Sequence, residues 1–185
     1  MTIATEAIQP QLRGSWRVDP RHSSVEFAVR HMMIATVSGR FRDYEGTLDA
    51  TGDEPVLEGA VRVESLTTDD EQRDGHLVSP DFFDAERHPE IRFRSRRFEP
   101  TDEGTVRIVG EFTMRGVTKE IELAGTLTGA GVDPWGSERI GIDLEATIDR
   151  REYGLTWNQP LPSGGLLVGD DVRLILSFSL VKAEA

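Results

Sequence analysis

The chain of 185 residues contains no cysteine, so neither a disulfide, a thiolate metal site nor thiol redox chemistry can belong to it. Positive charge is scarce: 21 Lys and Arg stand against 33 Asp and Glu, a formal charge of -12. That balance repels phosphate backbones and anionic headgroups, so no nucleic acid is expected as a partner. Long apolar runs are missing as well, and no membrane-spanning segment is expected, because a spanning helix needs roughly 20 apolar residues in a row. From Met1 to Arg13 there is Glu6 with polar Gln and Thr, but no basic stretch followed by a continuous apolar one, which does not read as a secretion signal. The expected organisation is a flexible N-terminal extension over residues 1–13 and a single domain over 14–185, with a cytoplasmic address. A domain of this size buries roughly two-thirds of the surface its unfolded chain exposes.

What is present from Ser15 onward is a period of two, the mark of strands with one dry and one wet face. A short lead-in covers Ser15 to Val18. Val25, Phe27, Val29 and His31 then alternate with Ser24, Glu26, Ala28 and Arg30. Over Gly39 to Ala50 the apolar phase passes from Phe41 to Tyr44 and Leu48, which predicts a bulge near Arg42 and Asp43. Leu57, Val61 and Val63 mark the next strand, and Ile91, Phe93 and Ser95 the one after it. Val106, Ile108, Gly110, Phe112 and Met114 lead through an Arg115-Gly116 turn to Ile121, Leu123, Gly125 and Leu127, a hairpin. Ile140 to Ile148 and Val172 to Leu180 continue the alternation to the end. One stretch breaks the rhythm: Thr67 to Pro89, where Asp69 to Gln72 open a predicted helix and Leu77, Phe82 and Phe83 give it apolar contacts.

Strands this long must hide their edges, and closing the sheet does so. Eight strands stand where a barrel either fills with side chains or keeps room for one small ligand. Modest inward residues, among them Val29, Val61, Val63, Gly110, Gly125 and Ala146, favour a partly empty tube. The same residues would equally pack a β-sandwich core, and periodicity leaves both open.

Ordered blocks carry a resemblance. Trp16-Arg17-Val18-Asp19-Pro20 with His22-Ser23-Ser24-Val25-Glu26-Phe27, Arg30-His31-Met32-Met33 with Val37-Ser38-Gly39-Arg40-Phe41, Asp81-Phe82-Phe83-Asp84 with His88-Pro89-Glu90-Ile91-Arg92-Phe93, Gly116-Val117-Thr118-Lys119, and Asp149-Arg150 with Tyr153-Gly154-Leu155 resemble the YceI-like family over nearly the whole chain after Gly14. The resemblance implies an all-β fold, an extended eight-stranded antiparallel lipocalin-like barrel with a short helical insertion around residues 67–89. It implies non-catalytic binding, storage or transport of a long apolar lipid of the polyisoprenoid or isoprenoid quinone class, or a fatty-acid-like one. By matching position, the channel is expected to be lined by Phe27, Val29, Phe41, Phe93, Phe112, Met114, Ile121, Leu123 and Leu144, with Leu77, Phe82 and Phe83 from the insertion and Trp157 near an end. No cofactor is expected beyond such a lipid or quinone-like molecule, and the resemblance allows a homodimer. Many family members carry a secretion signal; the polar start of this chain instead suggests a cytoplasmic member.

Competing readings attach to particular residues. His22, His31, His76 and His88 are candidate zinc ligands, but no HxH or HExxH spacing pairs two of them on one element. The plainer expectation is that His22 and His31 satisfy backbone groups at strand ends, while His76 and His88 cap or follow the inserted helix. Asp149-Arg150-Arg151-Glu152 suits a strand-end ion pair better than an acid/base site, since no nucleophile accompanies it; Arg150 is also a candidate for a lipid headgroup. Ser163-Gly164-Gly165 lacks a P-loop Lys and a nucleophile elbow, and reads as a loop. The acidic residues from Asp69 to Asp74 suit a solvated helix start. The rival function is an enzyme using His22, His31 or Asp149 at the channel mouth. A third reading is a scaffold that dimerises through apolar outer positions such as Trp135.

Overall fold

The computed structural model describes residues 11–100 and 104–184. Its strands are β1 (Gly14–Val18), β2 (Ser24–His31), β3 (Ala35–Phe41), β4 (Tyr44–Ala50), β5 (Val56–Arg62), β6 (Leu66–Thr67), β7 (Glu90–Pro100), β8 (Thr105–Met114), β9 (Val117–Val132), β10 (Glu138–Asp149) and β11 (Val168–Lys182), with helix α1 (Glu71–Leu77) after β6. They form eight staves. β1 and β2 are halves of one, split by a 3-10 turn at Pro20–His22, and both pair with β11. β3 and β4 are halves of the next, and β5 and β6 of the third, split by the Val63–Ser65 turn. Every neighbouring pair is antiparallel, and the pairing of β1 and β2 with β11 closes the ring. The fold is a closed eight-stranded antiparallel barrel with a short helix in the insertion, which removes the exposed edges that strands of this length would otherwise present.

Local chemistry sets the breaks. Pro20 has no N–H to give a ladder, and the Asp19 carboxylate accepts from the Arg21 backbone N–H to cap the turn. The second stave is interrupted at Arg42 and Asp43, where the sequence predicts a bulge; the Arg42 N–H leaves the ladder to reach Ser65 O and Oγ. This stave begins at Ala35, earlier than the alternation from Gly39 suggests. Arg115 and Gly116 make the predicted β8–β9 turn with φ of 50° and 74°, the positive values a two-residue type I′ hairpin requires.

Alternating faces sort by charge. Outward residues join across strands in the pairs Glu58–Arg94, Glu90 with Arg62 and Arg92, Glu111–Arg96 and Glu145–Arg173, the inverse of the apolar band a membrane-spanning barrel presents. Inward residues form two clusters in line. One, at the end where the chain enters, gathers Trp16, Leu48, Phe98, Ile108, Ile142 and Leu180. The other surrounds Phe27, Phe41, Phe112 and Tyr153 and includes Phe82 and Phe83 from the insertion.

The insertion plugs that second end. Asp70 caps α1 by accepting from the Arg73 N–H at 3.0 Å, and Asp74 Oδ1 receives the Thr68 N–H and hydroxyl at 2.8 and 2.6 Å. The acidic stretch therefore builds the helix start. Most of the expected extension, residues 1–10, lies outside the described residues. Its inner end is packed: Leu12 is 2% exposed, and its carbonyl accepts the Trp16 indole N–H at 2.7 Å, so the ordered body reaches further back than residue 14.

Candidate functional site

Three cavities lie in sequence within the barrel. The first, about 110 Å³, is walled by Val25, Phe93, Ile121, Leu123, Leu176 and Phe178 among others. The second, about 70 Å³, lies toward the insertion between Met114, Ile148, Leu155 and Val172. The third, about 160 Å³, forms the mouth beside Val29, His31, Leu77, Phe82, Trp157 and Val168. A cavity needs only about 10–15 Å³ to hold one water, so none of these is a packing defect; the first two, with almost wholly apolar inner surfaces, stay dry, whereas Arg30, His31, Arg73 and His76 add polar groups to the third.

Phe27 lines all three, while Phe41 and Phe112 line the first two. The rings of Phe27, Phe41 and Phe83 meet with centroids 5.7, 6.2 and 6.1 Å apart, an aromatic partition between the first and second chambers. Its position depends on Gly39, the cross-strand partner of Phe27: a Cβ there would stand 2.3 Å from Phe27 Cζ, so any side chain at 39 would evict the ring. At the mouth, His76 packs edge-on to Trp157 and Phe82 at 4.6 and 5.0 Å, and its Nε2 lies 2.9 Å from Asp81 Oδ2.

Not every small inward residue creates room. A Cβ at Gly110 would fall 2.4 Å from Arg94 O, and one at Gly125 only 1.7 Å from Asp143 O; these glycines let strand backbones approach and tighten the wall. Val63 is buried in the Val63–Ser65 turn as core. The space lies instead beside Val25, Val29 and Val61, whose side chains are only half-buried although they point inward.

Twelve of the thirteen predicted lining residues face these cavities: Phe27, Val29, Phe41, Leu77, Phe82, Phe83, Phe93, Phe112, Met114, Ile121, Leu123 and Trp157. Leu144 does not; it is 0% exposed in the packed cluster at the far end. Sequence reasoning omitted Val25, Leu174, Leu176 and Phe178 from the channel, although their strand phase marked them as inward. It also missed Leu167 and Val168, whose loop carries no periodicity to read.

The charged candidates are spread out. His22 is largely exposed and bonds Asp19 at 2.8 Å, so it satisfies a carboxylate and not a backbone group. Both the His22 ring and the Arg139 guanidinium hold the Asp19 carboxyl well below the usual carboxylate range. His31 ends β2 and His22 lies just before its start at Ser24, so the length of that strand, roughly 23 Å, separates them. Asp149 accepts from Arg151, whose side-chain hydrogen bond lowers its pKa. Arg150 is buried and four of its five N–H groups are used: Nε donates to Gly169 O, Nη1 to Leu155 O and Trp157 O, and Nη2 to Val168 O. It therefore fastens the 155–169 loop, and its remaining Nη2 N–H faces Asp170, whose Oδ1 lies 3.9 Å away. Among the described residues, no three of His, Asp and Glu gather as metal ligands.

Residues 16–180 match the YceI-like domain family. A UPF0312 protein of Staphylococcus aureus (strain USA300) is 32% identical over 170 residues, covering 90% of this chain and 96% of its own length. One from Pseudomonas syringae pv. tomato is 33% identical over 138 residues, 73% of this chain and 72% of its own. Among solved structures, the Campylobacter jejuni YCEI protein superposes with a TM-score of 0.68 at 26% identity over 84% of this chain and 90% of that one. A polyisoprenoid binding domain from Saccharophagus degradans, implicated in plant cell wall breakdown, does so with 0.72 at 13% identity over 91% and 98%, a likeness of fold alone.

Proposed function

The chain belongs to the YceI-like family, and from that premise we propose that it binds one long apolar lipid of the polyisoprenoid or isoprenoid quinone class along the barrel axis, to store or ferry it without covalent chemistry. The carrying observation is three successive cavities with mostly apolar walls, the first two divided by the Phe27, Phe41 and Phe83 rings, beside which the inward Val25, Val29 and Val61 stay only half-buried. Such walls have an unmet need for apolar contact: each Å² removed from water contributes about 25 cal/mol. A slender, flexible chain whose branches are no larger than methyl groups can thread between rotated rings and join the chambers, where a compact ligand would occupy only one. The Saccharophagus degradans domain, a polyisoprenoid binder of the same fold, supports this choice of cargo.

Organic extraction of the purified full-length protein followed by mass spectrometry tests the reading. It predicts release of an intact long-chain lipid in near-stoichiometric amount. Protein that is repeatedly free of lipid, from cells and after incubation with isoprenoid quinone, would contradict it.

A further inference from the structure

Six large apolar residues are markedly exposed among the described residues, and four of them, Met32, Met33, Ile34 and Leu166, lie in the two segments that carry the mouth-lining His31 and Leu167. Met33 and Ile34 are 67% and 78% exposed. They occupy the β2–β3 turn, where the Ile34 N–H bonds His31 O at 3.0 Å. Met32 and Met33 are its central residues, with φ of 54° and 58°. Asn-Gly is the favoured filling of such a turn, and left-handed backbone is disfavoured for side chains such as Met. Two strained, flexible, exposed methionines at one tip are costly for folding, and residues held against their preference concentrate at functional sites.

The surroundings say what the tip meets. In a chain with 29% charged residues, stretches 31–39 and 155–168 contain no Asp, Glu, Lys or Arg. They lie side by side: the Met32 N–H bonds Leu167 O at 2.8 Å, and His31 pairs with Val168. Polar groups there are largely used internally. Arg30 Nη2 bonds Met33 O, the Asn158 amide bonds Val168 O, and the Leu161 and Leu167 N–H groups bond Gly165 O and Gln159 O. The charges nearest the opening are Arg30 and Arg73, on the wall behind the tip, and both guanidiniums are hydrogen-bonded within the protein; the apolar tip ahead of them can enter a lipid interface without stripping water from ions.

We propose that the mouth docks on a bilayer surface of uncharged net headgroup character by inserting Met32, Met33 and Ile34, so that lipid passes between membrane and barrel without crossing water. This rests on the lipid-binding reading above. The charge of -12 disfavours strongly anionic membranes and opposes stacking of two copies through this face.

Because the chain has no cysteine, Ile34→Cys and Gly52→Cys can each carry one environment-sensitive dye on the full-length protein; Gly52 lies at the opposite end, and a Cβ there meets nothing within 4 Å. On titration with phosphatidylcholine vesicles, the dye at 34 shifts to the blue and the dye at 52 does not. In the Ile34→Cys background, Met32→Asn with Met33→Gly weakens vesicle binding about tenfold, roughly the loss of one large apolar anchor, yet raises the thermal midpoint. Trp135→Ala, also at the opposite end, leaves binding unchanged, and phosphatidylglycerol vesicles bind less well than phosphatidylcholine. The proposal is overturned by no shift at 34, by equal shifts at 34 and 52, by undiminished binding of the Asn-Gly protein, by stronger binding to phosphatidylglycerol, or by a vesicle-free shift that grows with protein concentration as the mass doubles. Lipid extracted from the Asn-Gly protein is measured separately: content equal to the parent with lost docking supports the proposal, whereas an empty parent removes the carrier reading whatever the vesicles show.

Discussion

Arg150 decides more of the local architecture than any other charged side chain. Its guanidinium donates to four backbone carbonyls on the loop that walls the mouth, and burial pushes its pKa down while the Asp170 and Asp149 charges oppose that shift. Arg150→Met fits the volume but leaves those carbonyls unsatisfied, so it is expected to cost about 3 kcal/mol in urea unfolding. Arg150→Lys recovers little, because an ammonium cannot reproduce the planar fork; full recovery by Lys would show that charge alone matters. Gly39 is the second such residue. Gly39→Val drives the Phe27 ring into the chambers, with about 1–3 kcal/mol of overpacking and a fall in extractable lipid; unchanged lipid content would mean the partition does not lie on the lipid's path. Neither role was legible in the sequence. Arg150 read as one member of an ion-pair cluster because its partners are carbonyls, which sequence does not display. The glycines at 110 and 125 read as open space, although neighbouring backbone fills it.

At the scale of elements, alternation located the strands well, since one face of each is charged and the other dry. It read less well where a stave breaks: the 35–38 stretch of β3 carries Thr36, Val37 and Ser38 in weak contrast, and the two-residue β6 is too short for any period. The first break is held by charge. Asp19 caps the Pro20–His22 turn and receives the Arg139 guanidinium at 2.8 Å across the strands. Its folded pKa is depressed by His22 and Arg139, so its stabilising contribution is present above the unfolded value of about 3.9 and is lost as pH falls through the folded value. Asp19→Asn is therefore expected to lower the thermal midpoint at pH 7 and to converge on the parent progressively below about pH 4. A gap between the two proteins that stays constant down to pH 2 would contradict this origin. The insertion shows the same limit of legibility. Leu77, Phe82 and Phe83 announced apolar contacts, but that Phe83 would complete a ring cluster with Phe27 and Phe41 follows only from closure of the barrel.

At the scale of the whole molecule, closure turns alternation into a vessel: one set of faces becomes a charged exterior and the other a row of mostly apolar chambers. A sandwich would have used the same alternating residues, and what decides between them is the pairing of β11 with β1 and β2, a contact between the two ends of the sequence that local pattern does not encode. The chambers are small and follow one another, so a single slender occupant must spread the Phe27, Phe41 and Phe83 rings to pass from one to the next. Native mass spectrometry of the intact protein tests this most directly. The predicted spectrum shows each chain carrying one long-chain lipid and no more, with that adduct lost in Gly39→Val. Several small adducts per chain, or an adduct that persists undiminished in Gly39→Val, would contradict a single molecule threaded past the aromatic partition.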